Sequence, residues 1–302
     1  MKKAYLHLGN SCNNSCINCF VDQINNGQNL ETDVIKKILD SIRKESYDVV
    51  AFTGGEPTIR KDLFELVRYA KSIGLKNIEL QTNGRMLSYI DYAKKVRRTG
   101  FSKVYISIHS NIREHHELLT RVRGSWAQTM SGIRNALEFK IPLMTNTVVN
   151  GINYKDIPDT VAMLSGLGVR EIELDFIRFR GNAGIYFNAL KIRMSDAWPW
   201  LRKAFDISKK FSLKMIYIDD YPICLMEGYE KFNSDYFSDG IHDETAKGFA
   251  TVQSHGASIH ENEKIYMKKC TQCLYGKKCQ GIWKEYIEFF GEGEFKPQIP
   301  KK

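Results

Sequence analysis

The 302-residue chain has no stretch approaching the 18 or more consecutive apolar residues that a membrane span needs. Its start, MKKAYLHLGNSCNN, carries two lysines but no apolar run long enough for a signal peptide. Internal repeats and low-complexity tracts are missing too. A cytoplasmic protein with no membrane partner is therefore expected. Cysteine is absent between positions 19 and 224, yet the chain has seven, at 12, 16, 19, 224, 270, 273 and 279. Core cysteines used only for packing would not segregate to the two ends. In a cytoplasmic chain that grouping points to metal or catalysis rather than disulfides. The net charge of +9 invites an acidic partner, but no dense basic arm exists. The lysines are spread through segments such as IKKIL, AKKVRR and SKK. That is the pattern of a solvated basic surface, and nucleic acid is not the expected partner.

What is present is a regular alternation. YDVVAFTGG, NIELQTNG, KVYISIHS, PLMTNTVVNG and EIELDFI each read as a strand followed by a polar or Gly/Asn turn. Between them lie amphipathic helical patterns. In TDVIKKILDSIRKE, for example, Val34, Ile35, Ile38, Leu39 and Ile42 share one face. KDLFELVRYAKSIG and YIDYAKKVRRTG close on a glycine at a C-cap position. Counting AYLHL, six strand–helix units run to Ile177, with a further helix (196–211) and strand (LKMIYI) to follow. Such alternation makes parallel strands with helical crossovers. The expected fold is α/β, a partial (β/α)6 TIM-like barrel over residues 1–218. A small cysteine-rich, loop-rich extension would fill 219–302. Functional residues in such folds gather at the C-terminal ends of the strands. Residues 228–268, polar and weakly periodic, read as a loop or lid.

At the end of the first strand stands CNNSCINC, Cys12-x3-Cys16-x2-Cys19. A closed zinc or iron–sulfur site takes four protein ligands, so either a distant fourth ligand exists or one metal position is open. CNNSCINC resembles the CxxxCxxC signature of the radical S-adenosylmethionine (radical SAM) enzymes. Thr53-Gly54-Gly55-Glu56-Pro57, ending the second strand, resembles their GGEP motif, and QTNG (81–84) and SIHS (107–110) extend the likeness. The resemblance implies a catalytic 4Fe–4S cluster on Cys12, Cys16 and Cys19, with S-adenosylmethionine on the fourth iron. It also implies reductive cleavage to a 5′-deoxyadenosyl radical that abstracts a substrate hydrogen, the electron coming from a low-potential donor such as ferredoxin or flavodoxin. Thr53, Gly54, Gly55, Glu56, Thr82, Asn83, Ser107 and His109 are the implied cofactor contacts. Two departures stand out. Asn18 precedes the third cysteine, where relatives often have an aromatic residue, and Ser107-Ile108-His109 replaces a frequent Ser-x-Asp.

Cys270-x2-Cys273-x5-Cys279 resembles the core of the SPASM and twitch extensions, which carry auxiliary clusters. The further cysteine of the fuller SPASM pattern is replaced by Trp283, so a single site is expected, completed by Cys224. The resemblance favours a second, closed 4Fe–4S cluster, and structural zinc is the competing reading.

Alternation puts Glu173 and Asp175 on one face of their strand, suited to ribose hydroxyls or a cationic substrate, or else paired with Arg178 or Arg180 or placed at a wet edge. His115 and His116 are expected at the surface. His7 fits an interior or a functional role equally well. The leading expectation is an oxidoreductase that modifies a peptide or protein side chain, although the short run before Cys12 argues against a peptide-binding domain there. Small-molecule cofactor biosynthesis follows closely. From another class comes a non-catalytic, zinc-binding, nucleic-acid-associated protein.

Overall fold

The structure, a computed structural model, describes residues 2–21, 26–237, 248–249, 264–276 and 278–299. Seven strands follow each other in chain order across one parallel sheet: β1 (Lys3–His7), β2 (Val49–Thr53), β3 (Asn77–Thr82), β4 (Lys103–Ser107), β5 (Leu143–Val149), β6 (Glu171–Phe176) and β7 (Met215–Asp219). The crossovers are α1 (Thr32–Lys44), α2 (Leu63–Ser72), α3 (Ile90–Thr99), the pair α4 (Arg113–Thr120) and α5 (Ser125–Glu138), then α6 (Ile157–Leu167). After β6 come the short α7 (Gly181–Ile185) and α8 (Phe187–Leu190), then the long α9 (Met194–Lys210). The expected barrel is thus present, with β7 added in register beside β6. Among the described residues, no helix is long and apolar enough to cross a membrane.

Side-chain alternation explains why the sheet curls. Ala4 and Leu6 of β1, Val104 and Ile106 of β4, and Ile172, Leu174 and Phe176 of β6 are buried under the helices. Their neighbours Tyr5, Tyr105, Glu173 and Asp175 point to the other face. Tyr5 of β1 feels the charges of Glu173 and Asp219, although β1 and β7 lie at opposite ends of the seven-strand order. Only a sheet rolled around a lumen brings them together. Ion pairs close its lower end, with Lys3–Glu79 at 2.6 Å and Lys103–Glu171 at 2.6 Å.

Gly74 and Gly100 take the positive φ expected just past α2 and α3. On α1, Ile35, Leu39 and Ile42 are buried, whereas Val34 is exposed at the edge of the stripe.

The chain beyond β7 returns onto the barrel instead of standing apart. Residues Glu230–Phe232 form a 3-10 turn and Ser234–Phe237 a helical turn, α10, where a loop was expected. Phe232 explains the difference: its ring stacks on Phe205 of α9 at 4.6 Å, so this stretch is anchored by burial. Residues 238–247 and 250–263 of the expected lid lie outside the described residues. Gly248–Phe249 (β8) pairs in parallel with β1. A two-residue hairpin, β9 (Lys264–Ile265) with β10 (Ile282–Trp283), leads into α11 (Lys284–Phe290). Tyr286 of α11 is buried against Phe176, and its hydroxyl accepts from the Met194 N–H at 2.7 Å.

Candidate functional site

β1 delivers the first cysteine loop to the mouth of the lumen, where the end of β2 holds it. Leu8 N–H donates to Thr53 O (2.9 Å), Gly55 N–H to Gly9 O (2.7 Å) and Glu56 N–H to Ser11 O (2.8 Å). A Cβ on Gly55 would sit 2.2 Å from Ser11 O, so only glycine allows this approach; Gly54 also has a positive φ of 127°. The other side of the loop is fixed by Ser15 N–H to Thr120 O, Ile17 N–H to Leu119 O and Ala183 N–H to Cys19 O. Cys12, Cys16 and Cys19 are half-buried free thiols. Burial pushes Cys12 up to about 12, with Glu56 and Cys19 adding to it. Burial, then Cys19 and Cys12, push Cys16 up as well. Cys12 and Cys16 both feel the Cys19 thiol, so the loop brings the three near one another. Cys12 and Cys16, held neutral by burial, become thiolates when a cationic group displaces their protons. Three soft donors around one space fit an iron–sulfur cluster with one position left open.

Glu56 is only 3% exposed and works inward. Its Oε1 accepts from Thr58 N–H (2.9 Å) and the Thr82 hydroxyl (2.7 Å), and its Oε2 from Asn83 N–H (2.7 Å). Burial pushes this carboxyl up, against the pull of those bonds. Asn83 Nδ2 then donates to Asn13 Oδ1 at 2.6 Å. Arg85, just beyond, donates to Asn13 O and, at 2.9 Å, to Asn14 Oδ1. Asn14 N–H in turn points at Cys12 Sγ, 3.3 Å away. A buried carboxylate thus ties the end of β3 to the cysteine loop, and Oε2 keeps one acceptor direction for a ligand.

Thr53 pairs with His7 in the β1–β2 ladder, and Ser107 with Asn146 in the β4–β5 ladder. His109 is buried, its ring stacked 5.7 Å from that of His116. The backbone N–H of His109 donates to His116 Nδ1 at 3.2 Å. Burial lowers His109 to about 4; burial and the His109 charge lower His116 to about 3. Both are therefore neutral near pH 7. His109 Nδ1 and the Asn18 Oδ1 are buried without hydrogen-bond partners. His116 is not at the surface as expected, because α4 turns it inward onto His109; His115, partly exposed, pairs with Asp156 at 2.6 Å. Burial also lowers His7.

One wall of the lumen is acidic. Asn146 Nδ2 donates to Glu173 Oε2 (3.2 Å) and Asp175 Oδ2 (2.6 Å), and Tyr217 OH to Glu173 Oε1 (2.7 Å). Asp219 stands opposite Asp175 in the β6–β7 ladder. Burial first, then the Glu173 and Asp219 charges, hold Asp175 well above the usual carboxylate range. Burial likewise raises Glu173. The expected pairing with Arg178 or Arg180 is not what holds them; Asn146 and Tyr217 do. Those two, with Asp219 and Arg85, escaped the sequence reading. For Asn146, Tyr217 and Asp219 the period-two pattern in MTNTVV and MIYID was the only signal; Arg85, just after QTNG, had none.

Cys224, Cys270, Cys273 and Cys279 line one pocket beside Pro222, Tyr275 and Phe295. Burial, then the other three thiols, push Cys224 up to about 12; burial pushes Cys279 up to about 11. Cys273 N–H donates to Cys270 O (3.0 Å) and Cys279 N–H to Tyr275 O (2.8 Å). Among the described residues, no three His, Cys, Asp or Glu side chains close around a point as a single metal ion requires. Trp283, 2% exposed, lies under the Arg178 guanidinium (3.6 Å) and beside Lys264 (4.5 Å), which pairs with Asp220 at 2.9 Å. Arg178 also reaches the ring of Phe20, next to Cys19, at 5.6 Å. These contacts link the two cysteine groups.

The chain is similar to known proteins in ways that follow this geometry. It is 32% identical over 170 residues to the "Probable GTP 3′,8-cyclase" of Saccharolobus solfataricus, covering 55% of this chain and 54% of that protein. It is 32% identical over 149 residues to the Fe-coproporphyrin III synthase of Methanosarcina barkeri, covering 49% and 37%. The chain spans about half the length, or less, of these curated relatives. In fold it resembles Streptococcus suis SuiB bound to precursor peptide SuiA, with a TM-score of 0.70 at 14% identity over 98% of this chain and 74% of that one. The model of the Radical SAM superfamily matches residues 6–164. Because that match covers more than half of the chain and contains the first cysteine loop, the chain belongs to the radical SAM superfamily and is an iron–sulfur enzyme of that class.

Proposed function

We propose that this enzyme is a cytoplasmic oxidoreductase acting on a side chain of a peptide or protein. Cys12, Cys16 and Cys19 would hold the catalytic 4Fe–4S cluster, and Cys224, Cys270, Cys273 and Cys279 a second, closed one in an extension over 219–302. With S-adenosylmethionine bound, the first cluster would supply the electron that breaks the sulfonium–carbon bond, giving methionine and a 5′-deoxyadenosyl radical. The chain's own part is to bind and orient. Gly54 and Gly55 let backbone approach the methionine end, and the remaining Oε2 direction of Glu56 suits an ammonium. Thr53, Thr82, Asn83, Ser107 and His109 ring the same mouth and would contact the rest of the cofactor. Neutral His109 keeps its Nδ1 for such a contact.

The acidic wall carries the choice of substrate. Glu173, Asp175 and Asp219 offer acceptors to amide N–H or ammonium groups, whereas a triphosphate placed there meets like charge. A small-molecule substrate is the second reading, favoured by the names of the relatives that share the barrel half. Anaerobic assay of the reconstituted enzyme with S-adenosylmethionine separates them. Deuterium transfer into 5′-deoxyadenosine from a labelled peptide encoded nearby in the genome is the expected result. Turnover of GTP without turnover of any peptide would overturn the proposal.

A further inference from the structure

We propose that Asn14, oriented by Arg85, raises the reduction potential of the group held by Cys12, Cys16 and Cys19. The inference rests on the reading of those three cysteines as the catalytic cluster site. Arg85 stands just past the end of β3, and its guanidinium crosses to the cysteine loop. Its Nε donates to Gln128 Oε1 of α5 at 2.7 Å. Its Nη1 donates to Asn13 O and, at 2.9 Å, to Asn14 Oδ1. All three acceptors are neutral, a backbone carbonyl and two side-chain amides, so these bonds leave the positive charge uncancelled.

A guanidinium can only donate, so it holds Asn14 Oδ1 toward itself and turns the NH2 the other way. That NH2 donates to Cys16, while the Asn14 backbone N–H points at Cys12 Sγ from 3.3 Å. One asparagine, buried at 3% exposure, thus aims two donors at two of the three sulfurs. Cys12 also feels the Arg85 charge directly, opposed by that of Glu56. In a hydrogen-bonded chain away from water, a cation at one end strengthens the donors at the other. An electron added to an iron–sulfur group places negative charge on its sulfurs, and hydrogen bonds to those sulfurs are among the factors that set its potential. The electron comes from an external low-potential reductant; no bond is made and no proton moves. Arg85 acts through Asn14 and is a positioning residue. At the second cysteine group the donor to Cys279 Sγ is a backbone N–H, that of Gly281 at 3.4 Å, outside the reach of this pair.

The test is a redox titration of the full chain, reconstituted anaerobically and followed by electron paramagnetic resonance. The signal that changes on adding S-adenosylmethionine belongs to the first site. Wild type is compared with Asn14→Ala, Arg85→Met, Arg85→Lys and the Asn14→Ala/Arg85→Met double variant. A midpoint does not depend on how much cluster a variant holds, so reduced loading leaves the result readable. In Asn14→Ala and Arg85→Met the ratio of reduced to oxidised first cluster at a fixed potential should fall about tenfold, a midpoint lower by about 59 mV for one electron. Arg85→Lys keeps the charge and should stay nearer wild type. The double variant should shift no further than Asn14→Ala, because Arg85 acts through that amide. Unchanged midpoints in both single variants, or an equal shift in a signal that S-adenosylmethionine leaves alone, would overturn the proposal. Full additivity in the double variant would overturn the relay from Arg85 through Asn14. A wild type with no signal sensitive to S-adenosylmethionine would instead overturn the reading of Cys12, Cys16 and Cys19 as the catalytic cluster site, and the proposal with it.

Discussion

Glu56 shows how one buried side chain serves two neighbours. Its oxygens accept from Thr58, Thr82 and Asn83, and Asn83 passes the constraint to Asn13 in the cysteine loop. Glu56→Gln keeps the volume but turns an NH2 toward groups that are themselves donors. Leaving such a buried group unsatisfied costs about 1–3 kcal/mol. The melting temperature of the protein without S-adenosylmethionine should therefore drop by several degrees; an unchanged value would mean that the network contributes nothing to the fold. Arg85 acts one step closer to the thiols, through Asn14 to Cys12. Arg85→Gln should leave the circular dichroism spectrum intact and lower the iron held by the first site after reconstitution. Full iron content in that variant would remove Arg85 from the clamp.

The paired strands β5, β6 and β7 set the acidic wall, and their pH behaviour follows from burial. The folded carboxyl of Asp175 holds its proton to higher pH than the unfolded one. Between those two limits the native state binds more protons than the unfolded state, so stability falls as pH rises. Asp175→Asn removes that penalty. The gain in melting temperature of the Asn variant over wild type should grow as pH rises from the ordinary carboxylate range. A pH-independent difference would contradict the charge origin. These elements also show what was legible in the sequence. The strands themselves, the cysteine spacing and Gly54-Gly55-Glu56 are local patterns and could be read directly. Glu173 and Asp175 could be placed on one face, but their partners could not, because Asn146 and Tyr217 arrive through cross-strand register. His116 was misplaced for a related reason: its neighbour His109 comes from the preceding strand end, outside any helical period.

At the scale of the whole molecule, the two cysteine groups are linked by a chain of cation–ring contacts, Phe20–Arg178–Trp283–Lys264, buried at Trp283 and open to solvent at Phe20. Trp283→Ala removes the ring that Arg178 and Lys264 share and should loosen the C-terminal hairpin, seen as faster amide exchange around Cys270–Cys279 with β1 to β4 unchanged. Uniform protection throughout would mean that these contacts do not couple the ends. The division of seven thiols into three and four is tested most directly by metal analysis of the Cys12→Ala/Cys16→Ala/Cys19→Ala variant reconstituted anaerobically. About four irons per chain, with no 5′-deoxyadenosine formed, is the predicted result. About one zinc and no iron would show that the C-terminal site is a zinc site; cofactor cleavage at the wild-type rate would contradict the assignment of the catalytic cluster.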